Sequence, residues 1–316
     1  MAAVPMKTAR QIAFLGTIAF VAQNLEGMTA LDVSQPRNPR MVRHFGPSEI
    51  QPLHICPLTP DTLLIADRFR GLVVWRVKGA DDITSVASLR LPGMLCHLET
   101  FTTGGRTFAA VASGGEGLSI VEITDLTAPS LTARFLHNAD FTRQVAVRGR
   151  HAIVADNKDG GMKIVDVADP AAPVLLFRVL LPGFCDALAL QNDLLFAAYR
   201  NYGTRIFRIL TPANAADEIL TSQSVELLSQ VVRSTDRVRN VLPLGRLLVL
   251  ANDSAGVEWY DCSNPSLPVL IAEWRAPDDV MSVAERDGLL YVAAWNAGVR
   301  VIEPARPGMS RELLRH

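Results

Sequence analysis

One phrase recurs along the chain and restricts what it can fold into. "TIAFVAQNLEGMTALDVSQPRNP" (Thr17–Pro39), "HAIVADNKDGGMKIVDVADPAAP" (His151–Pro173) and "LLVLANDSAGVEWYDCSNPSLP" (Leu247–Pro268) share one pattern. Each reads as an apolar strand, a glycine turn, a second apolar strand and a turn bracketed by prolines. The glycine that opens the second strand serves as a marker: Gly27, Gly71, Gly117, Gly161, Gly203, Gly256 and Gly298, spaced 44, 46, 44, 42, 53 and 42 residues apart. A period of this length marks an array of one small unit. Stretches such as "QVAVRG", "HAIVAD", "MKIVDV" and "VLLFRVLL" are short, rich in Val, Ile and Leu, and separated by turn residues. They give four strands per unit, and nothing resembles the paired helices of an α-solenoid. The spacing therefore predicts an all-β chain, a seven-bladed β-propeller of four-stranded antiparallel blades, with residues 1–316 forming one domain.

Each part of the phrase has a mechanical reason. The marker glycine is expected to take positive φ at the turn between the second and third strands. The alanine-rich strand before it lets neighbouring blades approach. Asp32, Asp166 and Asp261 stand where a carboxylate can accept hydrogen bonds from turn amides, and Pro36, Pro170 and Pro265 stiffen the crossing to the outer strand. The longest spacing, between blades 5 and 6, is expected to extend an outer strand or loop around 214–230. The last blade takes its outer strand either from Met309–Leu314 or from the N-terminal "AAVPMK". Pro304 and Pro307, placed like the turn before other outer strands, favour the C-terminal choice.

These units resemble the LVIVD repeat, named for the strand written here as "MKIVDV" and "LSIVEI". The resemblance runs from about Arg10 to Glu303 and implies a seven-bladed propeller. It implies little about activity, since the family is broad. Relatives of that kind are often exported, whereas "MAAVPMKTAR" carries no apolar leader. Cys56, Cys96, Cys185 and Cys262 are scattered without a CxxC pair. Both features are read as a cytoplasmic protein. Lys and Arg number 31 against 32 Asp and Glu, so no basic excess points to nucleic acid, and no run is long enough to span a membrane.

In a propeller, the starts of the inner strands gather around the central channel. Repeat phase places Arg10, His54, Cys96 or His97, Arg143, Asp186, Arg239 and Met281 there. A second ring, at the ends of the next strands, includes Asp67, Asp156, Tyr199 and Asn252, with Trp295 just beyond. From these residues two functions are drawn. In the first, an enzyme without organic cofactor acts on a small polar or anionic substrate. His54 or His97 moves a proton and Asp186 orients it. Arg143 and Arg239 hold the anion, with Arg10, Asp67, Asp156, Tyr199, Asn252 and Trp295 completing the binding wall. Such a set suits a lyase, isomerase or cyclase, since no GxSxG elbow or HExxH pair is present. A divalent metal between the histidines and Asp67 or Asp186 would need ligands at discontinuous spacing. In the second, the chain is a non-catalytic scaffold for a protein or ligand, and the same polar ring is a solvated rim.

Overall fold

The computed structural model describes residues 2–136, 141–157, 161–210, 218–231 and 237–304. Among them are seven four-stranded antiparallel sheets and two single-turn 3₁₀ segments. The inner strands are Gln11–Leu15, Pro52–Thr59, His97–Thr103, Thr142–Arg148, Ala187–Gln191, Val238–Leu244 and Ser282–Arg286. Each lies against the inner strand of the next blade, and the seventh lies against the first. The chain is a closed seven-bladed β-propeller.

Burial explains why the middle strands read as unbroken apolar runs. Ile18–Ala22 and Thr62–Asp67 are buried at every residue, because each blade is covered on both faces by its neighbours. The cores therefore sit between blades. Phe45 of blade 1 packs on Trp75 of blade 2 with ring centroids 4.7 Å apart. Outer strands such as Arg40–Phe45 are largely exposed. In six blades a register shift, such as that at Ile164/Val165, separates the third strand from the outer one and adds local twist. The repeated aspartates close Asx turns: Asp32, Asp166 and Asp261 accept from the amides of Ser34, Ala168 and Ser263, each at 2.9 Å.

Gly27, Gly71, Gly117, Gly203, Gly256 and Gly298 have the expected positive φ. Gly161 shares with its counterparts a crowded site. A Cβ on Gly27 would fall on the carbonyl oxygen of Phe45, and one on Gly161 would fall on that of Val179. The outer strand passes too close for any side chain. One expectation changes, and it concerns closure. Ala2–Val4 forms the outer strand of blade 7, with Ala2 opposite Val301 and Val4 opposite Val299. A Cβ on Gly298 would strike the Val4 carbonyl, the counterpart of the Gly27 contact with Phe45. The N-terminal strand thus fills the place assigned to Met309–Leu314, which lies outside the described residues. Between blades 5 and 6 the outer strand runs Val225–Val231.

Side chains on the inner strands link blade to blade. Gln11 donates to the Ile55 carbonyl at 3.1 Å and accepts from its amide at 3.0 Å. Gln144 donates to the Leu188 carbonyl at 2.8 Å, and Asn240 accepts from the Val283 amide at 3.3 Å. Glu99 accepts from the Val147 amide at 3.0 Å. Further along, Gln191 exchanges two bonds with the backbone of Gly245. Ala9 donates to the Trp295 carbonyl at 2.9 Å across the closing junction.

Candidate functional site

A cavity of about 170 Å³ opens where the inner strands begin. Arg10, His54, Cys96, His97, Arg143, Asp186, Arg239 and Met281 all line it. Backbone geometry fixes the equivalence between blades. The amides of Arg10, Cys96, Asp186 and Met281 donate to Ala22, Ala112, Ala198 and Ala293, the same position in four blades. Arg143 and Arg239 each occupy the extra residue of a β-bulge, between Thr142 and Gln144 and between Val238 and Asn240. A bulge leaves its residue outside the ladder and re-aims the side chain. The bulged residue of blade 2 is Leu53, so Leu53 and not His54 is the counterpart of Arg143.

His54 and His97 stand one residue further on, at the position held by Gln11, Gln144 and Asn240. His54 uses Nδ1 in the same way, facing the Leu98 amide at 3.4 Å. An acceptor nitrogen is an unprotonated one. Burial, with Arg10 adding to it, pushes the His54 imidazole down to about 3. Burial, and then His54, holds His97 well below its usual range. Neither is an acid–base group poised near neutrality, so the proton-transfer role expected of them does not fit their surroundings. They are half-buried neutral rings, 3.8 Å apart between centroids. The Nδ1 of His97 has no hydrogen-bond partner among the described residues.

The charge at the mouth is cationic. Asp186 has a side chain only 3% exposed and is shared by three guanidinium groups. Arg237 Nε donates to its Oδ2 at 2.7 Å, Arg200 Nε donates to the same oxygen at 3.0 Å, and Arg143 lies 3.9 Å from Oδ1. Arg239 pairs with Asp253. Arg68 donates to Asn24 Oδ1 at 3.1 Å. Arg10 makes no ion pair among the described residues. Burial, followed by the repulsion of Arg143, Arg239 and Arg68, pulls it down to about 10. Arg237 was not singled out in the sequence. Its signal is the "RVR" spacing, which puts Arg237 and Arg239 on either side of a paired valine. Cys96 is held by burial above the usual thiol range.

The second ring does not line this cavity. Asp67 is buried and accepts from the amides of Gln51, Phe69 and Arg70 at 2.5, 2.8 and 2.7 Å, which fixes its own loop. Asp156 is buried against Lys163. Tyr199 is fully buried under Arg205, whose guanidinium sits 4.0 Å from the ring centroid. Asn252 is buried at a strand end. Trp295 has φ of 38° and offers its carbonyl to Ala9. These residues hold the turns between second and third strands and do not face the cavity that the inner ring lines. Cys185 is buried, and its thiol is pushed well up by burial. Among the described residues no three His, Cys, Asp or Glu side chains are grouped to hold a metal ion, and no helix is long and apolar enough to cross a membrane.

Closed ring and polar channel mouth together define a β-propeller with a candidate ligand site at one end of its axis. The LVIVD repeat family matches residues 7–45, 107–137 and 141–180, so these three segments are similar to LVIVD repeats. No curated protein matches the sequence. Among solved structures, the β-propeller domain of Myceliophteria thermophila Cps50 (Swd1) is similar with a TM-score of 0.73 at 12% identity, covering 96% of this chain and 99% of that one. The computationally designed Ika8 protein is similar with a TM-score of 0.63 at 13% identity, covering 95% and 98%. At such identities the likeness is one of fold.

Proposed function

We propose that this propeller binds an anionic group at its channel mouth and does not transform it. The observation that carries this reading is Arg10. It is a half-buried guanidinium in the cavity wall with no ion pair among the described residues, and it stands beside Arg143 and Arg239. A desolvated cation held near like charges gains most from an incoming carboxylate or phosphate, and guanidinium groups present paired donors to such oxygens. Titration calorimetry with citrate and with inorganic phosphate tests this. Binding that weakens about tenfold or more in Arg10→Ala and Arg143→Ala, and weakens with added salt, is the expected result. Equal heats for the parent and both variants would end the proposal.

A catalytic reading, of the lyase, isomerase or cyclase type, keeps one observation in its favour. Glu99, two residues beyond His97, is pushed up to about 7 by burial, the range of a general base. Glu99 is not among the cavity-lining residues, whereas the arginines are. The binding reading is therefore preferred.

A further inference from the structure

We infer that the anion captured at the mouth is an acidic side chain of a protein partner, whose flanking apolar residues lie on the surrounding loops. This rests on the anion-binding reading above and extends it. The cavity, at about 170 Å³, is below the roughly 300–1,000 Å³ of sites that enclose whole small molecules. It has room for one charged group, and the rest of the ligand must lie outside on the face.

That face is built to receive it. In an antiparallel blade, the turn joining the second and third strands and the segment leading to the next inner strand both lie at the mouth end. Phe69, Phe184 and Tyr202, 61%, 42% and 49% exposed, are the exposed aromatics among the described residues. All three occupy such segments, as does Leu25, 53% exposed. They form two poles. Leu25 and Phe69 sit on the loops of blades 1 and 2, which are tied together by the bond from Arg68 to Asn24. Phe184 and Tyr202 sit at blade 5, on the opposite side of a seven-membered ring.

Both poles are preorganised, so little ordering cost opposes docking. Asp67 pins the amides of Phe69 and Arg70. The Arg200 guanidinium lies 4.8 Å from the centroid of the Phe184 ring, and the Tyr202 ring closes on Gly183 with no space for a Cβ between them. Exposed aromatics interleaved with arginine are the composition of interface hot spots. Because Arg200 and Arg237 are already bound to Asp186, the mouth is a single-anion site and not a track of cations for a polyphosphate chain.

A displayed random-peptide library, selected on the whole protein and eluted with citrate, tests the inference. Selected peptides are expected to carry a Glu or Asp with an apolar residue on each side. A synthetic peptide of that pattern should bind about tenfold more tightly than its counterpart with serine at the apolar positions. Phe69→Ser and Phe184→Ser, both at exposed positions, should each erase most of that gain and leave citrate affinity unchanged. Arg10→Ala should weaken peptide and citrate alike. If citrate binds but apolar flanks bring no gain, the partner inference is overturned and the anion site stands. If neither citrate nor any acidic peptide binds, both fall.

Discussion

The rings of His54 and His97 stand 3.8 Å apart between centroids, at adjacent blades and at the position where other blades carry Gln or Asn. His54 links its inner strand to the next through the Leu98 amide, whereas His97 Nδ1 makes no such bond among the described residues. With His54 pushed down to about 3 by burial and His97 held well below its usual value by burial and then His54, both are expected to stay neutral near pH 7. Imidazole resonances of both, followed by NMR from about pH 5 to pH 8, are expected to stay fixed. A midpoint near 6.5 for either would contradict the buried, neutral assignment.

The same assignment separates two substitutions. His54→Ala removes the acceptor facing the Leu98 amide and should cost on the order of 1 kcal/mol. His54→Gln supplies an amide oxygen, as Gln11 does, and should melt close to the parent. Thermal denaturation of the two variants measures this, and equal losses in both would show that the link to Leu98 has no energetic weight.

Glu99 makes stability depend on pH. Its folded value, about 7, lies above the ordinary carboxyl value near 4.3. The folded state therefore binds the proton more tightly than the unfolded state. Stability is fully present below about pH 4 and is lost as pH rises through about 7. Glu99→Gln, which keeps an acceptor for the Val147 amide, should remove this component. The variant should melt above the parent at pH 8, with the difference shrinking by pH 5. A constant difference across the range would assign the effect to packing.

Asp186 neutralises guanidinium groups that would otherwise repel one another. Asp186→Asn should lower the melting temperature, most at low salt, because it leaves Arg200 and Arg237 without their counter-ion. It should also raise the affinity for citrate. A variant that lost citrate binding would mean that Asp186 itself positions the ligand.

The closing strand gives a fifth test. Val4 is 6% exposed and pairs with Val299. Removing residues 2–4 should cost at least about 2 kcal/mol from lost apolar burial, before the unpaired edge of Val299–Ile302 is considered. Urea unfolding of the shortened chain measures it, and an unchanged midpoint would mean that the ring is held without this strand.

The sequence made the blades legible because each carries its own glycine, aspartate and proline marks at a fixed period. It also brought the right inner-strand segments to one mouth, since repeat phase alone fixes the axis they face. It misplaced the closing strand because Ala2–Val4 is three residues long and carries no turn phrase, whereas Pro304 and Pro307 imitate one. The register of His54 was misread for a different reason. A bulge at Leu53 moves His54 one place along the strand, and a bulge is a backbone event with no residue type to announce it. Asp67 and Asp156 were legible as polar, but the amides and the lysine that occupy them come from turns whose geometry the pattern does not specify.

Closure through Ala2–Val4 also sets an order of assembly. This strand leaves the ribosome before every other strand of the ring, yet its partners Val299–Val301 belong to the last strand of the ring to emerge. At about 5–20 residues per second it waits tens of seconds for them. Blades 1 to 6 can form in turn as they appear, but the junction between blade 7 and blade 1 has nothing to close on until the seventh blade has emerged. Any chain cut short before Val301 keeps an open seam between blades 7 and 1, so the clasp itself distinguishes a completed ring from an interrupted one.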